Sequence, residues 1–430
     1  MTGKEVYSGY RWVILALGCF VLISYSIDLI IFAPMFPEIA RDLNVNIGDA
    51  FYLAMASIVT LAAAMVFGGF LVDRFGITFV FVLGLLCASV PAVLMPWLGQ
   101  SYRLVFVARL LQGCVAVTFA TIGPILALWF PKREQGLAGG IFLCSLSLGN
   151  AIGMIIAPVF LQTLLSWQKI VALSSLPGWA CIALVCMFGT RKPAGEAVHA
   201  GMLAEDPGRP GMTYARALHY PMTWIGTGVL FFNCWGLYTL ANIIPSYLSS
   251  PVPAGVGLEL VTAGKLALLM TIMGIPAFVV GGIFFDKAAK GNTRPAVFIG
   301  FAVTGTFTYL LLLPPVYQYT PFLIICLIMA GLGVSFMGPS VSAFVAVNYH
   351  PELVGSMMGW WFGFGTLGGA MGTLFAGFTT AASGNFYWTL AAVSFASAAG
   401  FLLTFFLKQS RDAAGPEKVG RTATEESFER

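Results

Sequence analysis

Three ionisable side chains lie deep inside long apolar runs: Asp28, Arg109 and Lys265. An ionisable group at membrane depth costs roughly 2.5–3.5 kcal/mol on insertion scales, so its retention points to function. A buried carboxyl such as Asp28 can carry a proton, and a cation moving toward or away from it changes whether the proton is held. The competing structural reading is a static Asp28–Arg109 ion pair locking two helices together. Arg109 itself braces or couples, or it binds a substrate directly. Lys265 either snorkels to an interface or recognises an anion. The three share a depth. Asp28 precedes Pro34 by six residues, Arg109 follows Arg103 by six, and Lys265 follows Glu259 by six, each about 9 Å along a helix. One electrostatic layer is expected.

Other chemistry is poorly served. The three histidines (His199, His219, His350) fall in polar connections, so no acid–base dyad forms at depth with the single buried carboxylate. The eight cysteines all lie in apolar runs and none forms C-x-x-C. A disulfide framework and a zinc site are therefore not expected, and no metal or cofactor is implied.

The elements that position these charges follow from composition. Hydrophobic residues make up 58% of 430 positions, charged residues 9%, and the mean hydropathy is +0.87. Soluble chains carry about 25% charged residues. A spanning helix needs about 20 apolar residues, and runs of that kind predict helices near 11–35, 50–72, 77–98, 103–129, 136–165, 169–189, 221–248, 260–285, 295–316, 320–347, 353–381 and 385–407. The expected fold is an all-α membrane protein of twelve transmembrane helices in two pseudo-symmetric six-helix bundles. The first run, Trp12 to about Phe36, is too long for a signal-peptide core.

Charge sets the orientation. With the N-terminus inside, 17 Lys and Arg fall in inner segments, against Arg41, Arg103 and Lys169 in outer ones. Both termini are predicted to be cytoplasmic, in a cell inner membrane. The polar stretch 191–219 reads as a cytoplasmic linker between an N-terminal bundle (1–190) and a C-terminal bundle (220–408). Residues 409–430 read as a disordered tail.

An internal repeat supports the division. Gly69, Asp73 and Arg74 match Gly282, Asp286 and Lys287 in the pattern G-x-x-x-D-[RK], at an offset of 213. Gly136, Gly140, Gly149 and Gly153 match Gly355, Gly359, Gly368 and Gly372, all at 219. Parallel six-helix repeats are a transporter architecture, with the solute site between the halves near the midplane.

On these residues the chain resembles the major facilitator superfamily along essentially its whole length. Gly69–Gly76 is similar to that family's loop 2–3 signature, with Ile77 and Thr78 where basic residues are usual. Arg109-Leu110-Leu111-Gln112-Gly113 resembles its helix 4 signature. Trp129-Phe130-Pro131 with Gly136, Gly149, Gly153 and Pro158 resembles its proton-coupled organic-anion symporters, whose helix 1 aspartate falls at Asp28. Leu29 and Ala116 depart from that subfamily's arginine and glutamate. The resemblance implies gating roles for Gly69, Asp73, Arg74, Gly282, Asp286 and Lys287, and bracing of helix 1 by Arg109. It implies a cavity lined by helices 1, 4, 7 and 10 with help from 2, 5, 8 and 11. Candidate binding residues are then Tyr25, Gln112, Asn150, Tyr238, Asn242, Trp360, Trp361 and Lys265, with Asn233 and Ser335 considered. Asn233 and Asn242 are nine apart and cannot share a helix face, whereas Tyr238 and Asn242 do.

The expected function is alternating-access transport of a small solute, foremost proton-coupled symport of a small organic anion. The alternative is a proton-driven exporter of amphipathic compounds, although helix 5 lacks a G-P pair: Met154 follows Gly153. An embedded enzyme and a non-transporting solute sensor are the remaining readings. Expected partners are the solute, protons and the bilayer, for a monomer without nucleic acid.

Overall fold

A computed structural model describes residues 9–122, 125, 129–130, 132–164, 166–189, 214–349 and 351–408; the side chains of 73, 132–137, 140, 143, 164, 214–215, 286, 343, 346–348 and 351–356 are outside the description. Residues 191–213 of the predicted linker over 191–219 and the tail 409–430 lie outside the described residues; the linker's last part is a short helix over Tyr214–Leu218, which is not expected from the sequence. No strand occurs among those described.

Long helical segments follow one another: α1 (Arg11–Asp42), α2 (Ile47–Val72), α3 (Arg74–Val93), α4 (Tyr102–Thr121), α5 (Lys132–Leu164), α6 (Trp167–Phe188), α7 (Pro221–Ser249), α8 (Leu260–Ile283), α9 (Thr293–Leu310), α10 (Thr320–Ser342), α11 (Pro351–Ser383) and α12 (Tyr387–Thr404). Ten spans among the described residues are long and apolar enough to cross a membrane. α9 and α11 are not among the ten. α9 dilutes its apolar residues with Arg294 and four threonines, and α11 with eight glycines.

Local chemistry sets the breaks. Pro34 has no N–H to donate, so the regular part of α1 stops at Ile30. A 3-10 turn over Ala33–Met35 follows, and the chain resumes as helix over Phe36–Asp42, past the predicted end near residue 35. The chain turns from α2 into α3 at Gly76, in the first turn of the α3 segment, where φ of 81° and ψ of 167° are open to glycine. In α4 the helix after Gly113 tightens into a 3-10 run over Cys114–Thr121. Runs of that length are uncommon, and nothing in the sequence pattern announced this one. α8 and α10 are each interrupted at one residue shortly before a proline, at Met273 ahead of Pro276 and at Met337 ahead of Pro339.

The repeated glycines perform matching tasks. A methyl at Gly149 would come 2.5 Å from the Ile23 carbonyl, and one at Gly153 would meet Ile27 and Ile30, so α5 lies flat on α1. At the equivalent places on α11, Gly368 packs on the backbone of Phe231 and Gly372 on Trp235 and Thr239, so α11 lies flat on α7. Close backbone approach at small residues is how helices associate without a hydrophobic driving force.

The core is divided unevenly. At the end of the molecule that holds Phe36, Phe51, Trp167, Tyr247 and Phe386, one continuous core draws on α1–α8 and α10–α12. Phe51 and Tyr247 both meet Phe386 there, at 6.0 and 5.9 Å. Toward the other end there are two cores. One is built on α1–α6 around Val21, Phe81 and Phe142. The second is built on α7 and α9–α12 around Phe301, Phe344 and Trp361.

Candidate functional site

Where the single core gives way to the two, a cavity of about 210 Å³ opens. Its wall is formed on one side by α1, α2, α4 and α5 (Tyr25, Ser26, Ser57, Arg109, Phe119, Ser147, Asn150). On the other side stand α7, α8 and α10 (Tyr238, Asn242, Met270, Thr271, Phe278, Ser335).

Asp28 and Arg109 are the two charged side chains buried among the described residues, each 1% exposed. They do not form a carboxylate–guanidinium pair, so the contacts differ from the competing reading of a static lock. Every Arg109 N–H instead meets a neutral acceptor. Nε donates to the Leu53 carbonyl at 3.2 Å; Nη1 donates to the Asp28 carbonyl at 3.4 Å and to Gln112 Oε1 at 2.9 Å. Nη2 donates to the Leu29 carbonyl at 3.3 Å and to Ser57 Oγ at 2.7 Å. The ring of Phe32 lies 4.2 Å from the guanidinium carbon. The termination of α1 explains the geometry. Asp28 and Leu29 belong to the last turn before Ile30, whose carbonyls have no partner within the helix and carry the negative end of its dipole. A guanidinium with five fixed donors suits that cluster of acceptors. Gly113 completes the arrangement: a side chain there would overlap Ser57 and Thr60, so glycine lets α4 press against α2.

The Asp28 carboxyl group turns the other way, toward α6. Its Oδ1 lies 3.1 Å from Ser174 Oγ, and its Oδ2 is buried without a protein partner. Ser174 Oγ also lies 2.8 Å from the Val171 carbonyl. A hydroxyl has one proton to give. Ser174 can donate to the carbonyl while accepting from a protonated Asp28, or turn and donate to an ionised Asp28. The pair is built to accommodate both protonation states.

The remaining candidates divide clearly. Tyr25, Asn150, Tyr238 and Asn242 line the cavity. Tyr25 packs edge-on against Phe119 at 5.6 Å. Asn242 donates to the Tyr238 carbonyl one turn earlier at 2.7 Å, while Asn233 donates to the Val334 carbonyl at 2.9 Å. Gln112 is fully buried behind Arg109 and holds it, rather than facing the cavity. Lys265 is exposed on the outer surface of α8 and is absent from the cavity wall, a correction to its expected place among binding residues. Six residues from the helix start, its long stem can reach the interface. Trp360 and Trp361 are likewise away from the cavity. Trp361 stacks on Phe344 at 5.5 Å and covers Gly226; Trp360 lies between Trp224 and Phe364. Aromatic bulk here fills the α7–α11 seam.

Of the expected gating residues, Gly69 has open space beside it and Gly282 only Pro339 at 3.9 Å. Arg74 is exposed, 5.4 Å from the Phe75 ring, and Lys287 is exposed. The side chains of Asp73 and Asp286 lie outside the described residues, although Asp286 falls in a π-helical turn over Phe284–Ala288.

Residues missed in the sequence include Ser57, Phe32 and Ser174, which hold the two buried charges. A serine one turn along a helix from another small polar residue is too common to stand out. The Met270–Phe278 portion of the wall was also missed, since it depends on the break at Met273.

A model of the Major Facilitator Superfamily matches residues 14–317 and 290–428. The chain belongs to that superfamily. That superfamily is one of multi-pass membrane transporters rather than enzymes. A putative glycerol-3-phosphate transporter of Arabidopsis thaliana is 25% identical over 321 residues, covering 67% of this chain and 62% of its own length. The chain thus spans less than two thirds of that relative. A probable sulfoacetate transporter of Cupriavidus necator is 25% identical over 307 residues, covering 68% of this chain and 70% of its own. The crystal structure of a bacterial homologue of the human lysosomal transporter Spinster, in an inward-facing and occupied conformation, shares the fold. Its TM-score is 0.72 at 13% identity, with 93% of this chain and 97% of that one covered.

Proposed function

We propose that this superfamily member is a proton-coupled symporter of a small organic anion. One observation carries the reading: a buried guanidinium, Arg109, stands in the cavity wall with only neutral groups as contact partners. A desolvated cation without a carboxylate in contact favours an anion in the adjoining space. Relatives named for glycerol-3-phosphate and sulfoacetate transport agree in sign of charge. Tyr25 and Asn150, on the cavity wall, supply donors for its oxygens. Asp28 carries the proton, with Ser174 turning to suit each state.

The machine consists of twelve spans in two six-helix bundles, 1–190 and 220–408, joined by a cytoplasmic linker and followed by a cytoplasmic tail, and acts as a monomer in the inner membrane. The single core at one end and the paired cores at the other fit a state closed outward and parted inward, between which the bundles rock. The gating pairs Asp73–Arg74 and Asp286–Lys287 sit at the parting end.

The test is uptake into proteoliposomes under an imposed pH gradient, with sulfoacetate and glycerol 3-phosphate as first solutes. Concentrative uptake of either, or of another small carboxylate or sulfonate, collapsed by a protonophore, is the expected result. The apolar wall of Phe119, Met270 and Phe278 favours a second reading, export of amphipathic compounds. Proton-driven extrusion of a hydrophobic cation, with no anion uptake, would establish it.

A further inference from the structure

Asp28 has a second neighbourhood, on the side away from the cavity, where three buried oxygens have no protein partner: Asp28 Oδ2, Ser24 Oγ and Ser89 Oγ. All three residues are within 1% of full burial. They meet because two helix faces are in register. Ser24 and Asp28 are one turn apart on α1, as Ser174 and Gly178 are on α6, and Ser174 Oγ meets Asp28 Oδ1 at 3.1 Å. A methyl at Gly178 would overlap Ser89 Oγ and come within 3.2 Å of Ser24 Oγ. Both hydroxyls therefore converge on the bare backbone of α6, from α1 and α3, one turn from the carboxyl group.

Serine in a helix ordinarily satisfies its hydroxyl on the carbonyl one turn back. Ser24 and Ser89 do not, in a region with no access to bulk solvent. A buried water typically makes about three hydrogen bonds to groups that would otherwise go unpaired, and here three such groups, two on α1 and one on α3, lie in one buried layer beside α6. We infer that Ser24 and Ser89, drawn together against the bare backbone of Gly178, share one ordered water with Asp28 Oδ2, making both serines positioning residues for the proton-carrying carboxyl group. The inference deepens the proton-coupling role proposed for Asp28 and rests on it. Among titratable groups, the charge of Arg109 on α4 acts on Asp28, and Asp28 acts in turn on the neutral thiol of Cys181 on α6. α2 and α3 bring the hydroxyls of Ser57 and Ser89 to this layer, and α5 packs on α1 here through Gly149 and Gly153.

The experiment needs no solute. Infrared difference spectra of the full chain in nanodiscs, recorded across pH, follow the carboxyl C=O band assigned to Asp28 by its loss in Asp28→Asn. Ser24→Ala, Ser89→Ala and Gly178→Ala, whose methyl displaces the Ser89 hydroxyl, are each expected to move the band and displace its titration midpoint by about one pH unit, the scale of one hydrogen bond to a charged group. Ser24→Thr, which keeps the hydroxyl, should restore both. A water O–H band sensitive to heavy-oxygen water should be present in the wild type and lost in Gly178→Ala. A band and midpoint unchanged in all three variants overturn the inference, as does a midpoint that follows sodium concentration, which would seat a cation there instead. Should Asp28→Asn keep pH-driven uptake while the serine variants still move the band, the coupling role falls and the water site stands. The reverse pattern removes the water site alone.

Discussion

Arg109 reaches Asp28 through the backbone: Nη1 donates to the Asp28 carbonyl at 3.4 Å, while the carboxyl group lies against Ser174 at 3.1 Å. The two buried charges share a layer without neutralising each other. Arg109 is thus committed to the frame by hydrogen bonds and to the cavity by its charge.

Arg109→Ala should cost more than an ordinary core truncation. It strands the Leu53, Asp28 and Leu29 carbonyls together with Gln112 and Ser57, each worth about 1–3 kcal/mol when buried and unpaired. Arg109→Lys keeps the charge but offers three donors for five acceptors. Thermal unfolding should fall steeply in the alanine variant and by a smaller amount in the lysine variant, with transport reduced at least about tenfold in both. An alanine variant as stable as wild type would contradict the bracing role.

Tyr25→Phe and Asn150→Ala should separate binding from stability. Among the described residues neither side chain's polar group has a hydrogen-bond partner, and both line the cavity. Loss of one hydrogen bond to an anion weakens affinity about tenfold, so KM should rise by that order while the melting temperature stays put. A large fall in melting temperature with unchanged KM would place them in the frame instead.

Lys265→Ala should leave KM and maximal rate unchanged, because the side chain is exposed on α8. Substrate protection of a cysteine-labelled Lys265→Cys variant, or loss of saturable uptake in the alanine variant, would bring that residue into the cavity.

Gly149→Leu should abolish folded, membrane-inserted protein, since α5 cannot stay at its distance from the Ile23 carbonyl with any side chain there. Gly69→Ala, with nothing within 4 Å, should be nearly silent in a stability assay. Equal effects of the two would undo the packing role given to the repeat.

The helical membrane fold was legible because apolar runs of spanning length are a direct statement about solvent, and depth counting alone brought Asp28 and Arg109 to one level. Tyr25, Asn150, Tyr238 and Asn242 were legible as polar groups on apolar helices. What held the charges was not legible. The partners of Arg109 are mostly backbone carbonyls, which every residue possesses, and only the break at Pro34 makes those of Asp28 and Leu29 available. Lys265 and the pair Trp360–Trp361 misled for a related reason: their chemistry suits a cavity, but which side of α8 or α11 faces it is decided by breaks and glycine contacts elsewhere. The 3-10 run over Cys114–Thr121 has no marker in residue type at all.

Proton movement measured together with solute movement tests the central claim most directly. Proteoliposomes loaded with a pH-sensitive dye, given a transported small anion outside, should acidify inside as the anion enters. Asp28→Asn should abolish the acidification while still exchanging labelled for unlabelled anion. Saturable anion entry without acidification in the wild type, or acidification undiminished in Asp28→Asn, would contradict proton symport through Asp28.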